Sequence, residues 1–399
     1  MQESGVGVIG FGFIGRVHAH AHLSLPLFYD PLPLRTRLTA VCAPSESSRR
    51  RALLQAPFVA AEKEVSTLLA RDDVQLVHIC TPNDSHADVA IQALAAGKHV
   101  YCDKPLARTL AEAESIAAAA AASDRVFQLT YNYRFLPATM RARELVEDGI
   151  LGRLLSFRVA YLHAGYVSRD RPWTWRTSFA RSGGGACMDL GTHAVDLLRY
   201  LTGTETALEG GGEIEAVTAV MATHTTTRRD ADGEQHSVDV DDLTLATLRL
   251  EGGAVGSVEA SRIATGAQDE LRLELHGEAG AIRFNLMEPG WLDVYDNRLP
   301  EAPGGGDRGF KRLEAAMRFP PPYQLGATKN PIGWLNSHIH SVYRFVENVA
   351  RSENGLPVTA GTPTVWDGLA AQRVIDACLR SAAEGGVWVS TGSDAGRPW

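Results

Sequence analysis

Two side chains able to exchange a proton stand four residues apart in the run GGGACMDLGTHAVD, residues 183–196. On a helix this spacing puts Asp189 and His193 on one face. A carboxylate there would orient the imidazole and raise its basicity. A ring with a pKa near neutrality can take a hydroxyl proton during oxidation and return it during reduction. The same spacing also serves capping and packing contacts, so the pair alone leaves its role open. A third chemical residue is Lys104, between Asp103 and Pro105 after an apolar run. At the carboxyl end of a sheet strand its ammonium would hydrogen-bond a reacting oxygen and stabilise charge developing on it. On open surface it would do neither.

The elements that would position these groups differ between the two halves of the chain. GVGVIG (5–10) reads as a short strand, followed by the turn Gly10, Phe11, Gly12, Phe13, Ile14, Gly15 and a helical pattern from Ile14. In such a turn the first glycine permits the bend, the second lets backbone approach a pyrophosphate, and the third lets helix and strand pack closely. Strand-like runs then recur at 38–42, 74–81, 99–102 and 126–129, separated by helical segments such as 85–98 and 110–123. That alternation predicts an α/β Rossmann domain, a doubly wound parallel sheet. Its ligand would lie over the carboxyl ends of the strands, at Thr81-Pro82-Asn83 and Asp103-Lys104-Pro105.

The second strand ends at Ala43, where a ribose-binding acid would be expected, and Ser45, Arg49, Arg50 and Arg51 follow. Hydroxyls and guanidiniums at that position suit a 2′-phosphate, which favours NADP over NAD. The three arginines also read as a solvated helix face, and Glu46 could reach a ribose.

After Gly152 the strand-like runs at 155–162, 243–250, 254–261, 271–276 and 281–285 follow one another with turns between. Helical segments at 191–201, 335–351 and 365–383 accompany them, ahead of a last strand at 387–390. This predicts an α+β domain with a mainly antiparallel sheet flanked by helices. With 399 residues, two domains are the natural division. They are expected at 1–133, binding dinucleotide, and 134–399, binding substrate and a second subunit, with a final helix able to pack back on the first domain. Residues 297–332, rich in Gly and Pro, read as one long irregular stretch, and 392–399 as a loose tail.

A formal net charge of −8 gives no basic footprint, which argues against nucleic acid or an anionic membrane as partner and for a small molecule. No run of ~20 apolar residues is present and the start lacks a basic leader, so a cytoplasmic protein is expected. Cys42, Cys80, Cys102, Cys187 and Cys378 lack CxxC spacing and read as reduced structural thiols. His18, His20 and His22 place only the outer two on one helical face, with no further ligand in view, so no metal is expected. The charged run 225–242 lacks the ligand spacing of a calcium loop and reads as a solvated hairpin loop.

Taken in order, GVIGFGFIGRVHAHAH, ICTPNDSH, YCDKP, YNYRF and GGGACMDLGTHAVD resemble the Gfo/Idh/MocA group of oxidoreductases over roughly residues 1–290. The resemblance implies hydride transfer between a nicotinamide and a CH–OH or C=O carbon of a sugar, cyclitol or sugar derivative. It implies that Lys104 and His193 contact the reacting oxygen, that Asp189 fixes or assists His193, and that Lys104 precedes a Pro105 able to be cis. Thr81, Pro82, Asn83, His86, Asp103 and Asn132 would line the dinucleotide site. Tyr131, Arg134, Tyr161, Trp173, Trp175 and Arg176 supply the aromatic faces and planar donors that recognise polyols, although the tryptophans also suit core packing. The antiparallel sheet would pack against that of a second subunit, giving a homodimer or homotetramer. Asp103 stands where the group usually has Glu, and Ala43 where it often has an acid. Two other functions fit the same scaffold: a cofactor-sensing regulatory protein without catalysis, and redox-neutral glycoside cleavage through transient oxidation.

Overall fold

The computed structural model describes residues 3–203, 206–300, 304, 306–319 and 331–392, and these divide into two units. The described residues of Met1–Phe135 and Pro320–Leu369 form the first. Its strands are β1 (Glu3–Ile9), β2 (Arg35–Cys42), β3 (Ala60–Glu62), β4 (Leu76–Ile79), β5 (His99–Cys102) and β6 (Phe127–Leu129), in the order β3-β2-β1-β4-β5-β6. All neighbours pair in parallel. Helices α1 (Phe13–Phe28), α2 (Glu46–Gln55), α3 (Val65–Leu69), α4 (His86–Ala95) and α5 (Leu110–Ala121) carry the chain between strands. Every residue of β4 and β5 is buried, as strands covered on both faces require. The order reverses between β1 and β4, the point at which such sheets bind ligands beyond their carboxyl ends. The short β3 and α3 were not expected, since three and five residues are too few to display a period.

In the second unit α6 (Pro137–Glu147) leads into β7 (Leu154–Leu162), and α7 (Phe179–Ser182) precedes α8 (Thr192–Thr202). There follow β8 (Ile214–Ala222), the hairpin β9 (Thr227–Arg229) and β10 (Gln235–Ser237), β11 (Leu243–Leu250), β12 (Val255–Ser261), β13 (Glu270–Gly277), β14 (Gly280–Asn285), β15 (Trp291–Asp296) and β16 (Lys311–Glu314). The chain continues through α9 (Trp334–Glu353) and α10 (Val365–Ala383) to β17 (Val389–Ser390). The large sheet runs β16-β15-β14-β13-β7-β12-β11-β8-β17, with every pairing antiparallel except β7 with β12. Strict alternation buries Thr244, Ala246, Leu248 and Leu250 on one side of β11 and leaves Leu245 and Arg249 on the other.

Two differences from expectation concern long-range packing. Residues 134–399 were expected as one domain, yet the division falls at Phe135/Leu136, returns Pro320–Leu369 to the first unit, and runs through α10. The cause lies on α9. Ile339, Val342, Phe345, Val346 and Val349 form a helical stripe that is 0–3% exposed and joins the core around Val6, Val8 and Leu25. Each such buried side chain contributes ~1.5–3 kcal/mol, more than enough to fix the helix there. The stretch 297–332 is also not wholly irregular, because Lys311–Glu314 pairs with β15 as an edge strand. Residues 301–303, 305 and 320–330 of that stretch, and 393–399 of the tail, lie outside the described residues.

Candidate active site

The glycine turn in the first unit has the geometry its spacing implies. Gly10 sits at φ 90°, in the left-handed region, and a Cβ on it would lie 2.5 Å from the Cys80 carbonyl oxygen. A Cβ on Gly15 would come within 2.2 Å of the Gly10 oxygen, so no side chain fits where α1 crosses β1. Gly12 faces open space, with nothing within 4 Å. No side chain caps α1 and its first turn holds no acid. Its terminal N–H groups therefore remain for an anion, and the room above Gly12 fits a dinucleotide pyrophosphate. Phe13 is 66% exposed and stacks on Trp334 of α9 at 5.8 Å; Ile14 is half-buried.

At the end of β2, the buried Ala43 donates its N–H to the Glu62 carbonyl, and Ser45 caps α2 by accepting from the Ser48 N–H at 3.2 Å. Arg49 bends back to donate to the carbonyls of Ala43 (2.7 Å) and Pro44 (2.8 Å). The His86 ring lies between the carbonyls of Pro105 (2.9 Å) and Thr81 (3.0 Å), bracing the two loops that carry Thr81-Pro82-Asn83 and Asp103-Lys104. Asn83 and Asp103 are buried, Lys104 is half-buried, and the Lys104–Pro105 bond is cis. Tyr131, Asn132 and Arg134 are buried on the same unit. Asn132 donates to Ser337 Oγ at 2.8 Å. Arg134 pairs with Asp367 at 2.9 Å, while the other Asp367 oxygen accepts from the Thr364 N–H and hydroxyl.

In the second unit the chemical pair stands on an altered helix start. Cys187–Gly191 forms a π-helical turn that runs directly into α8, placing Asp189 in the wide turn and His193 in the first turn beyond it. Such turns carry a local insertion that re-aims side chains. Asp241 holds this one in place: its carboxylate accepts from the N–H groups of Gly185 (2.7 Å) and Cys187 (2.8 Å) and from the Thr244 hydroxyl, and its carbonyl accepts from the Ala186 N–H. A Cβ on Gly185 would fall 1.8 Å from that carbonyl oxygen, which explains a glycine there.

Asp189 is 23% exposed and accepts from Arg262 Nη2 at 3.0 Å. Arg262, just after β12, is 1% exposed, donates to the Arg176 carbonyl at 3.4 Å, and lies 4.6 Å from the Tyr166 ring centroid. Burial pushes the Arg262 pKa down, but Asp189, Tyr166 and Asp241 more than offset this, so the net shift is upward and the cation is secure. His193 is buried with its ring 5.8 Å from that of Tyr161, whose hydroxyl donates to Asp269 at 2.8 Å. His163, next to this group, has its pKa lowered chiefly by burial, with Asp189 acting against it. Arg176 lies 4.3 Å over the half-buried Trp175 ring. Trp173 instead belongs to the hairpin, donating to the Ser237 carbonyl and stacking on His236 at 4.6 Å.

The second unit thus gathers Tyr161, Asp189 and His193 with Arg262, and the first gathers Lys104 with the glycine turn and its loops. Arg262, Asp241 and Asp269 were missed from sequence. An arginine directly after a strand whose last residues are buried was the available signal for Arg262, since a buried guanidinium needs a carboxylate. Asp241 lies in the charged run 225–242, whose composition reads as a solvated hairpin loop. The hairpin exists, but Asp241 and Asp242 are 6% and 3% exposed and serve backbone N–H groups, which is what keeps them inside. Among the described residues one group, Asp230, Glu234 and His236, brings possible metal-ligand atoms within 4.8 Å. Asp230 there accepts from the N–H groups of Asp232 and Glu234 and pairs with His236 at 2.7 Å, the bonding of a closed turn. All five cysteines are free and buried, and no described helix is long and apolar enough to cross a membrane.

Comparison with known proteins agrees with this architecture. Residues 4–131 match the oxidoreductase family with an NAD-binding Rossmann fold, and residues 139–283 match the GFO/IDH/MocA C-terminal domain. Levoglucosan dehydrogenase of Pseudarthrobacter phenanthrenivorans is 33% identical over 96% of this chain and 97% of its own length. Myo-inositol 2-dehydrogenase of Thermotoga maritima is 28% identical over 87% of this chain and 89% of its own. A solved levoglucosan dehydrogenase in complex with NADH and L-sorbose superposes with a TM-score of 0.88 at 33% identity, covering 98% of this chain and 99% of that one. With both halves matched and a relative aligned along nearly its full length, the chain belongs to the Gfo/Idh/MocA family of oxidoreductases.

Proposed function

We propose that this enzyme is a dehydrogenase acting on a CH–OH group of a sugar or cyclitol, with Lys104 and the Asp189/His193 pair handling the proton. The observation that carries the reading is an acid held by a buried cation on the same short element as an imidazole, Arg262–Asp189 at 3.0 Å beside the His193 turn. His193 accepts the hydroxyl proton on oxidation and returns it on reduction. Asp189, ionised against Arg262, keeps the imidazole basic and aimed. Lys104 donates to the same oxygen and offsets its charge as the proton departs. The nicotinamide, when bound, takes or returns the hydride. The Gly10–Gly15 turn holds the pyrophosphate, and Thr81, Pro82, Asn83, His86, Asp103 and Asn132 form the wall beside it. Tyr161, Trp175 and Arg176 offer faces and donors for a polyol, in keeping with relatives named for levoglucosan and inositol.

Replacing Lys104 with Ala is expected to lower turnover of NAD+ with levoglucosan or myo-inositol by ~10³-fold, a few kcal/mol of lost charge stabilisation, while NADH affinity stays within threefold. Unchanged turnover overturns the role of Lys104. Tight nucleotide binding with no reduction of NAD+ or NADP+ by a sugar, cyclitol and aminosugar panel would favour a cofactor-sensing protein instead.

At the ribose end, Ala43, Ser45 and Arg49 support NADP(H), although Arg49 must exchange its carbonyl bonds to reach a 2′-phosphate. The NADH complexes of the relatives support NAD(H). Titration of the two reduced nucleotides separates these: NADPH binding as tightly as NADH supports the Ser45/Arg49 reading, and a hundredfold preference for NADH overturns it. The outward face of the nine-stranded sheet exposes Val220, Leu245 and Val255 among charged neighbours, which supports self-association through that face. Sedimentation should then show a dimer or tetramer that dissociates in Leu245→Glu.

A further inference from the structure

The strands β9 and β10 pair with each other in a sheet of their own, outside the nine-stranded one. A lone two-stranded hairpin is marginal in water, so another contact must hold it. That contact is the loop between β7 and α7, residues 163–178, which carries Trp175 and Arg176 and contains one short helical turn, Trp175–Thr177. Arg228 of β9 is 2% exposed, and its guanidinium donates to the loop carbonyls of Ser168 (2.7 Å), Tyr166 (2.8 Å) and Arg171 (3.1 Å). The Trp173 N–H donates to the Arg229 carbonyl at 2.7 Å, while its indole donates to the Ser237 carbonyl and stacks on His236. Just past the hairpin, the Asp239 carboxylate accepts from the Phe179 N–H at 2.6 Å.

Among the described residues, every acceptor of the Arg228 guanidinium belongs to this loop. Burying a cation is costly unless its N–H groups are taken up, so the loop cannot leave the hairpin without stranding that charge. The grip continues toward the acid. Tyr166, 3% exposed, has the guanidinium carbons of Arg171, Arg262 and Arg228 at 4.0, 4.6 and 5.6 Å from its ring centroid. Its N–H donates to the Arg262 carbonyl at 2.9 Å, and the Arg262 guanidinium holds both the Arg176 carbonyl and Asp189. Trp175 therefore lies between two fixed points of one loop, Trp173 on the hairpin and Arg176 on the cation of Asp189. Loops longer than ~12–15 residues within a compact unit are usually binding loops or lids, and this one is pinned along its length.

We propose that the β9–β10 hairpin is a specificity arm of the second unit, with Arg228 the positioning residue that sets the curl of residues 163–178 and so the place of Trp175 and Arg176 against a bound polyol. The inference rests on the polyol-binding role proposed for those two side chains. Arg228 acts through the loop carbonyls, which it draws to one guanidinium plane. A rigid bicyclic sugar such as levoglucosan and a cyclitol such as myo-inositol present their hydroxyls in different directions. A displaced loop therefore weakens the two unequally, and the arm sets which of them is preferred.

Steady-state kinetics of the full chain with NAD+ and these two polyols tests the arm in Arg228→Lys, which keeps the charge but not the planar fork that meets three carbonyls. KM for the better substrate should rise about tenfold with kcat within about threefold, and the ratio of the two kcat/KM values should change by about fivefold or more, while NADH affinity stays as it was. A role in folding alone lowers the active fraction, which reduces apparent kcat and leaves KM and the ratio in place; that outcome overturns the proposal. So does a fall in kcat at constant KM, the mark of an effect passed through Arg262 to Asp189. Should Arg228→Lys fail to fold, His236→Ala removes the partly exposed ring stacked on Trp173 and should move KM and the ratio the same way by about threefold; no movement in that variant overturns the arm as well. Trp175→Ala and Arg176→Ala keep the two readings apart. If both leave KM for each polyol unchanged, the polyol-binding role fails and the arm with it; if either raises KM while Arg228→Lys does not, the arm alone fails.

Discussion

Arg262→Met removes the charge that faces Asp189 while keeping most of the stem volume. Arg262 is 1% exposed and makes three contacts through its guanidinium, with Asp189 at 3.0 Å, the Arg176 carbonyl at 3.4 Å and the Tyr166 ring at 4.6 Å. Breaking a fully buried pair by deleting one partner costs ~3–5 kcal/mol. Asp189 keeps 23% exposure, so water recovers part of its solvation and ~2–3 kcal/mol is the better figure. At ~2–4 °C per kcal/mol for a domain of this size, the melting transition should drop by ~5–10 °C. The kinetic loss follows from the same displacement. A carboxylate no longer held by Arg262 cannot fix the imidazole, and ~3 kcal/mol lost from the transition state lowers kcat/KM ~150-fold. Most of that loss should appear in kcat, because the cofactor site lies on other elements. Arg262→Lys, which retains charge but loses the planar contact with Tyr166, should recover a large part of the melting temperature and less of the rate. Differential scanning fluorimetry and NADH formation with levoglucosan provide both readouts. If Arg262→Met matched the unmodified enzyme within threefold in kcat/KM and within 1–2 °C in melting, the proposed dependence of His193 on a fixed Asp189 would be wrong.

The glycine turn separates folding from binding. Gly15→Ala forces a Cβ to within 2.2 Å of the Gly10 oxygen and should lower stability, whereas Gly12→Ala meets nothing within 4 Å and should melt normally while weakening NADH at least tenfold; equal NADH affinity in a folded Gly12→Ala would remove the pyrophosphate from that spot. The first unit should also be acid-labile. His22 and His338 are depressed to about 3, and His99 and His340 to about 4, all chiefly by burial, so below pH 6.5 the unfolded chain binds protons that the folded one does not. Stability is then full above the unfolded pKa and falls by ~1.4 kcal/mol per pH unit per histidine as pH drops from ~6.5 toward ~4. A urea midpoint that is the same at pH 7.5 and pH 5 would contradict this.

What sequence made legible in this chain is what depends on neighbouring residues. The glycine turn could be assigned because each of its three roles is set by backbone within six residues, and the strand runs at β2, β4, β5 and β6 because buried parallel strands are mostly apolar even where they hold Thr39, His78, His99 or Gln128. Asp189 and His193 were placed on one face by helical period, although the π-helical turn between Cys187 and Gly191 alters how they project. What stayed hidden is long-range. The partner of Asp189 lies 73 residues away, and α9 joins a unit that the chain leaves after Phe135 and to which it returns with the segment Pro320–Leu369. No local pattern records which strand will lie beside which.

The pairing of β7 with β12 shows why that matters for chemistry. It is the one parallel pairing in the large sheet, and its register sets Tyr161 against Ala260 and Leu162 against Ser261. Parallel neighbours end on the same side, so Tyr161 and His163 leave β7 where Arg262 leaves β12. An antiparallel partner in that position would have carried Arg262 to the opposite edge, away from Asp189. In the first unit, likewise, Thr81 and Lys104 follow the carboxyl ends of the parallel strands β4 and β5. Thr81 and Lys104 in the first unit, and Arg262 in the second, therefore lie just beyond the carboxyl ends of parallel strands, where loop residues are held on a rigid frame. A single inverted connection in the antiparallel sheet is enough to create such an end, and it is there that the acid and its cation come together.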